Sequence, residues 1–310
     1  MRRVLLTGGA GFIGSQLARA LLDDGVELTV LDAFTYAARA EHLDGLPLRL
    51  VRGDICDPAA VEEAMTGCDA VVHAAAESHV ARSLTDPTAF LRTNIEGTRV
   101  MLSVASRLGL PRFLHVSTDE VFGAAPPGVS FRELDPQTPG NPYAASKVGG
   151  EALIHAWRHT WGYPAAIMRC TNNYGPRQHP EKAVPSWILA AVDGGPIPIH
   201  GQGLAVRDWL HVADLARGVV LGLRRWRPAA TWHFAGRQHR TNAALASRIG
   251  ALLGVQALRM LPERQGQDAR YDLDDTATRA ELGWAPQVPL DDGLSAAIAW
   301  YRAHRGIWGA

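Results

Sequence analysis

The chain opens on an apolar run of strand length that breaks into glycines and then turns helical. Arg3-Val4-Leu5-Leu6-Thr7 leads into Gly8-Gly9-Ala10-Gly11-Phe12-Ile13-Gly14, and Leu17, Leu21 and Leu22 follow at helical spacing. Gly8, Gly11 and Gly14 permit a tight turn and let the backbone approach a pyrophosphate seated on helix N-terminal amides. A second run, Leu28-Thr29-Val30-Leu31, ends in Asp32, where a carboxylate is expected to hold an adenosine ribose diol. An acid there repels a 2′-phosphate, so the pattern favours NAD over NADP. A glycine-rich turn alone is common. Strand, glycines, helix, strand and acid in this order commit the N-terminus to a dinucleotide-binding βαβ unit.

The alternation continues. Leu48-Arg49-Leu50-Val51 precedes Gly53-Asp54-Ile55, and Ala70-Val71-Val72-His73 runs into the small residues Ala74-Ala75-Ala76. Phe113-Leu114-His115-Val116 precedes Ser117-Thr118-Asp119-Glu120, and Ala165-Ala166-Ile167-Met168 precedes Arg169 to Gly175. Strands separated by helices predict an α/β fold, a Rossmann-type doubly wound parallel sheet covered on both faces. Ligands bind such sheets at the carboxyl ends of the strands, so one crevice could collect Asp32, Asp54, Ala76, Thr118 and Asn173. After Gly175 prolines break the pattern, and helical segments follow around 214–223, 243–253 and 294–300. This predicts an NAD-binding domain over 1–174, a return segment near 207–235, and a smaller C-terminal substrate-binding lobe over 175–310. The segment 124–136, with Pro126, Pro127 and Gly128, reads as a mobile loop.

Composition narrows the partners. A chain of 310 residues with 47% hydrophobic content can bury a large core, and its formal net charge is zero with no basic run, which gives nucleic-acid binding no support. No apolar stretch reaches membrane-spanning length. Cys56, Cys68 and Cys170 are odd in number and lack C-x-x-C spacing, which predicts reduced thiols in a cytoplasmic protein. His155 and His159 lie four apart without the glutamate of a zinc helix, so no metal is expected.

The chemistry concentrates in two strings. Tyr143-x-x-x-Lys147 on a helix places a phenol and an ammonium one turn apart, where the ammonium should favour the phenolate. Such a tyrosine can take the proton of an alcohol as the carbinol hydride leaves. Asp119 and Glu120 add a candidate acid and a candidate base that an alcohol oxidation does not need. Together they read as an enzyme that oxidises a sugar in order to eliminate from it.

Several strings resemble the extended short-chain dehydrogenases/reductases and, within them, the dTDP-glucose 4,6-dehydratases, essentially end to end. They are Ala76-Glu77-Ser78-His79-Val80, Ser117-Thr118-Asp119-Glu120-Val121, Asn172-Asn173-Tyr174-Gly175-Pro176-Arg177-Gln178 with Pro180-Glu181-Lys182, and Arg207-Asp208-Trp209-Leu210-His211-Val212. The resemblance implies conversion of dTDP-glucose to its 4-keto-6-deoxy product by C4 oxidation, loss of water across C5 and C6, and hydride return to C6. It implies NAD contacts from Phe12, Ile13, Asp32, Thr35, Asp54, Ile55, Ala75 and Thr93, beside the glycine turn. Tyr143 would be the C4 base, Lys147 would lower its pKa and grip the nicotinamide ribose, and Thr118 would bond the C4 oxygen. Asp119 would be the acid at C6 and Glu120 the base at C5. Ser78 and Asn173 would face the sugar or its phosphates, while Lys182, Arg207, Asn242 and Arg264 would hold the nucleotide diphosphate.

The chain departs from the family strings at Ala81, Phe122, His200, Gln267 and Ala269, which puts nucleotide specificity rather than reaction class in question. Apolar stripes near 91–108 and 144–157 are those the family uses for a homodimer, although packing on the sheet also accounts for one face of each. Trp157, Trp161, Trp187, Trp209 and Trp226 are expected as core or subunit-interface anchors. Two other readings stay open: a related enzyme on this fold, either a dehydratase for another nucleotide sugar or a 4-epimerase, and a non-catalytic NAD-binding regulator. A regulator would have no reason to keep Tyr143, Lys147, Asp119 and Glu120 together.

Overall fold

The structure is a computed structural model and describes residues 1–308. Its main sheet contains β1 (Arg3–Thr7), β2 (Glu27–Asp32), β3 (Leu48–Arg52), β4 (Ala70–His73), β5 (Phe113–Thr118) and β6 (Ala166–Cys170). Three short strands follow, β7 (Asn172–Tyr174), β8 (Ile197–His200) and β9 (Val206–His211), before β10 (Thr231–Phe234) returns to the main sheet. The order is β10-β6-β5-β4-β1-β2-β3, and every pairing is parallel. Chain order reverses between β1 and β4, which is where such sheets open a crevice.

The two-residue period of the strands separates two cores. Val4, Leu6, Val30, Val72, Leu114 and Met168 face the helices Phe12–Asp23 and Val212–Arg224, meeting Leu17, Leu21, Leu215 and Val219. Their neighbours Leu5, Leu31, Val71, Phe113 and Ile167 face the opposite side, against Val61, Met101, Val104 and Ile154. A strand buried on both faces must be apolar throughout, which is why these runs showed no alternation.

The remaining elements form the lobe. β7 and β11 (His239–Thr241) flank β9, and β8 pairs with β12 (Leu258–Leu261). A third core joins Trp187, Ile188, Ile197, Leu245, Ile249, Leu294 and Ile298 beneath them. The return segment thus begins in the lobe at β9 and joins the main sheet through the helix Val212–Arg224 and β10.

Two local expectations change. The stretch expected as one helix from Leu91 is interrupted by a π-helical turn over Arg92–Gly97, a wider turn that places Thr93 in the cavity wall. The loop 124–136 is tied down rather than free. Ala125 N donates to Arg270 O at 2.8 Å, Phe131 N to Asp272 O at 3.1 Å, and Arg270 Nη1 to the carbonyls of Pro126 and Val129. Of the tryptophans expected as core or subunit-interface anchors, Trp187 and Trp209 are core, and Trp161 is 61% exposed at the end of the helix Pro142–Trp161. No helix of the described residues is long and apolar enough to cross a membrane.

Candidate active site

A cavity of about 670 Å³ follows the carboxyl ends of β1 to β6. Asp32, Asp54, Ala76, Thr118 and Asn173 all line it, as does each residue expected to touch NAD. Its floor is backbone brought close by missing side chains. Gly8 has φ +72°, and a Cβ on Gly14 would stand 1.9 Å from the Gly8 carbonyl oxygen. The Asp32 carboxylate accepts from Ala10 N at 2.8 Å and Phe34 N at 2.7 Å, each oxygen keeping a lone pair for a diol. Burial pushes Asp32 above the ordinary aspartate range, and the two amides pull against it. Asp54 pairs with Arg92 at 2.7 Å and accepts from Cys56 N. Turn, acid and small-residue walls therefore fit a dinucleotide. Among the described residues no cluster of three or more His, Cys, Asp or Glu side chains could hold a metal ion.

The catalytic candidates meet in this cavity. Thr118 ends β5 and caps a single 3₁₀ turn, Asp119–Phe122, accepting from Glu120 N at 3.3 Å. Facing it, Asn141 caps the helix Pro142–Trp161, which carries Tyr143 and Lys147, both buried. Asp119 is 3% exposed; its Oδ1 accepts the Thr118 hydroxyl at 3.1 Å and its Oδ2 has no partner among the described residues. Burial, then the Glu120 charge, push Asp119 well above the carboxylate range, which favours its protonated form. Burial raises Glu120 too, but Asn141 and Tyr271 donate to its Oε2, each at 3.3 Å, and the charges of Arg207 and Lys182 favour the anion. Both carboxyl groups are raised, but the donors and cations around Glu120 oppose its rise, an asymmetry that suits Asp119 to the acid role and Glu120 to the base role.

The expected effect of Lys147 on Tyr143 needs correction. Lys147 Nζ donates to Val116 O at 2.7 Å and faces His115 at 3.5 Å, and its burial lowers it to about 8. Burial and then the Glu120 charge raise the Tyr143 phenol well above its usual value; the group that favours the phenolate is the Thr118 hydroxyl. Helical spacing places the ammonium and the phenol on one face, but a carbonyl on β5 claims the ammonium.

A second cavity of about 170 Å³ adjoins the first and shares Ser78, Glu120, Asn172, Glu181 and Lys182 with it. Arg207, Asn242 and Arg264 line it, so the residues expected around the nucleotide diphosphate converge there from distant parts of the chain. Asn173 lies in the larger cavity, with its Oδ1 buried and unpartnered. Lys182 Nζ donates to Ser78 O at 2.7 Å. The Arg207 guanidinium lies 4.4 Å over the Tyr271 ring and donates to Val206 O and Asp268 O, each at 2.8 Å. That orients its planar fork.

Of the departures from the family strings, Ala81 and Gln267 line this second cavity. Phe122 is fully buried against Phe131 at 4.9 Å, and Ala269 uses its carbonyl to accept Val206 N. His200 bonds Pro262 O, away from both cavities. Only Ala81 and Gln267 of the five are placed to affect a ligand. Sequence reasoning missed Asn141, Tyr271 and Glu181 as site residues. Asn141 had a local signal, an Asn immediately before the Pro at a helix start; Tyr271 and Glu181 matter through partners far away in sequence.

The chain matches the model of the NAD dependent epimerase/dehydratase family over residues 4–232. It is 44% identical to a dTDP-glucose 4,6-dehydratase of Streptomyces niveus, over 99% of this chain and 94% of that protein. It is 39% identical to the low-salt glycan biosynthesis protein Agl12 of Haloferax volcanii, over 96% of this chain and 98% of that one. Among solved structures, DesIV of Streptomyces venezuelae, a dTDP-glucose 4,6-dehydratase with NAD bound, superposes with a TM-score of 0.95 at 42% identity, covering 99% and 98% of the two chains. A Thermus thermophilus UDP-glucose 4-epimerase complexed with NAD gives a TM-score of 0.91 at 28% identity, over 97% and 99%. With its dinucleotide cavity, its Tyr143 and Lys147 helix and its full-length relatives in agreement, the chain belongs to the NAD dependent epimerase/dehydratase family.

Proposed function

We propose that this protein is an NAD-dependent lyase, a dTDP-glucose 4,6-dehydratase forming the 4-keto-6-deoxy sugar nucleotide. The observation that carries the reading is the pair at the β5 end: a buried Asp119, pushed well above the carboxylate range, beside a Glu120 that accepts two hydrogen bonds and faces Arg207 and Lys182, both in one cavity with Tyr143. An epimerase oxidises and reduces at C4 and needs neither group.

Thr118 bonds the C4 oxygen while Tyr143 accepts the proton of the C4 hydroxyl as that carbon is oxidised. Held by the glycine turn, Asp32 and Lys147 in the larger cavity, NAD would supply the hydride acceptor for C4 and the hydride donor for C6, and its positive charge would offset the burial that raises Tyr143. A ketone at C4 acidifies the C5 hydrogen, which Glu120 removes. Asp119 delivers its proton to the departing C6 hydroxyl, so the leaving group is water. Glu120 then returns a proton to C5. Lys147 and Asp32 grip the two riboses of the dinucleotide, and Arg207, Lys182, Asn242 and Arg264 hold the nucleotide diphosphate beside Ser78 and Asn173.

The main sheet with its helices thus carries the cofactor and the lobe carries the nucleotide sugar. The three cysteines are unpaired, which suits the reducing cytoplasm where we place the enzyme. We also place a homodimer contact on the helices Thr98–Arg107 and Pro142–Trp161, near the exposed Leu91, Leu108 and Trp161; sedimentation should give twice the chain mass. Incubation with dTDP-, UDP-, GDP- and CDP-glucose tests the main reading. A 4-keto-6-deoxy product from dTDP-glucose is expected, and a 4-epimer without deoxygenation would overturn it.

A further inference from the structure

Asn141 is a residue that the reaction as described does not use, yet it touches three parts of the site. It is 6% exposed, and its Oδ1 accepts Ala144 N at 2.9 Å, capping the helix that presents Tyr143 and Lys147. A carboxamide has one acceptor end and one donor end, so the cap fixes which way the group points. The donor end is left facing Glu120 Oε2 at 3.3 Å and Gly266 O at 3.4 Å, on the segment that walls the second cavity.

We infer that Asn141 is a positioning residue that keeps Glu120 an oriented carboxylate, using the helix cap as its anchor, and so sets the pH range over which the C5 proton can be removed. The inference rests on the assignment of Glu120 as the C5 base. The other groups facing Glu120 are Asp119 on its own turn, Tyr143 on the capped helix, Lys182, Arg207 on β9, and Tyr271, which also bonds Asp268 at 3.0 Å. Arg207 and Lys182 supply charge from the lobe. Among the described residues Asn141 and Tyr271 are the two neutral groups within hydrogen-bonding distance of the carboxylate, and of these Asn141 ties it to the helix bearing Tyr143.

Two variants separate capping from positioning. Asn141→Asp keeps a first-rank N-cap, favoured by the helix dipole, but replaces the donor facing Glu120 by a second carboxyl group. Asn141→Ala loses both the cap and the donor. A merely structural residue would make Ala the damaging change and Asp nearly silent. The inference requires the opposite order for pH: Asp melts near the parent temperature but moves the acid limb of the dehydration rate upward by the larger amount. Each unit of that displacement lowers the rate about tenfold below the limb. A C5-deuterated substrate should show a larger isotope effect with Asn141→Asp than with the parent. If Asn141→Asp does not fold, the acid limb of Asn141→Ala must still move upward. An unmoved limb in a folded variant overturns the inference. Glu120→Gln tests the underlying assignment separately: if it still dehydrates normally, the role of Glu120 fails, whatever Asn141 does.

Discussion

The two cavities meet at Glu120, yet they are walled by different means. The larger is lined by backbone and small side chains at the ends of neighbouring strands, with Gly8, Gly14 and Ala75 at close approach. The smaller is lined by side chains from distant segments, the long polar Lys182, Arg207, Asn242, Arg264 and Gln267 among apolar ones such as Val80 and Trp209, brought together by the lobe. The first is a consequence of local strings that turn a strand into a helix. The second exists only once distant segments have packed. Damage to the first should therefore remove the cofactor outright, whereas damage to the second should weaken one ligand by degrees.

The largest effect is expected from Gly14→Ala. Its added methyl would lie 1.9 Å from the Gly8 carbonyl oxygen, a clash that the turn cannot relieve without moving. Purified protein should carry little nicotinamide nucleotide on denaturation, where the parent should retain it. Normal retention would mean that the turn gives way to the methyl group without losing the cofactor.

Next comes Tyr143→Phe, which leaves the cavity shape nearly intact. Loss of a general base costs about a hundredfold to ten-thousandfold in rate, and the melting temperature should hardly change. Near-normal turnover would remove Tyr143 from the C4 step.

Arg207→Lys keeps the charge but loses the planar fork and the stack on Tyr271. A charge-assisted bond to phosphate is worth about 1.5–3 kcal/mol, so KM should rise at least tenfold while retained cofactor is unchanged. A change in cofactor retention would show that the cavities are not independent. The two departures facing the second cavity, Ala81 and Gln267, should matter less. Gln267→His should sharpen discrimination between dTDP- and UDP-glucose, as read from the ratio of kcat/KM values, and an unchanged ratio would set that position aside.

The smallest effect concerns stability at the junction. Asp119 is ionised in the unfolded chain above its ordinary 3.8 but stays protonated in the fold, where burial raises it. Folding then takes up a proton, so this contribution is fully present below 3.8 and is lost as pH rises toward the folded value. Asp119→Asn should melt higher than the parent at neutral pH, and the gap should narrow as pH falls below the folded value and be closed by 3.8. A gap independent of pH would place the proton elsewhere.

The same contrast decides what could be read from the sequence. The glycine turn, Asp32 and the alternating elements act through neighbours in the chain, and each falls where the pattern put it. The Asp119, Glu120 and Tyr143 constellation was legible because two strings hold its members in fixed local geometry. The orientation of Lys147 was not, because the carbonyl that claims it belongs to β5, 31 residues away in the chain. Tyr271 and Glu181 were hidden for the same reason. The π-helical turn at Arg92–Gly97 left no periodicity to distinguish it from the helices on either side. Tethering of 124–136 came from Arg270, which lies 141 and 144 residues beyond the carbonyls it holds.

The central claim is that oxidation at C4 and elimination across C5 and C6 occur in one cavity on one bound sugar. dTDP-glucose deuterated at C4 tests it most directly, turned over in excess unlabelled NADH with the product methyl group examined by mass spectrometry. The account predicts that the deuterium appears in the C6 methyl group of the 4-keto-6-deoxy sugar. Loss of the label to the bulk cofactor, or its return to C4 in an epimer, would contradict it.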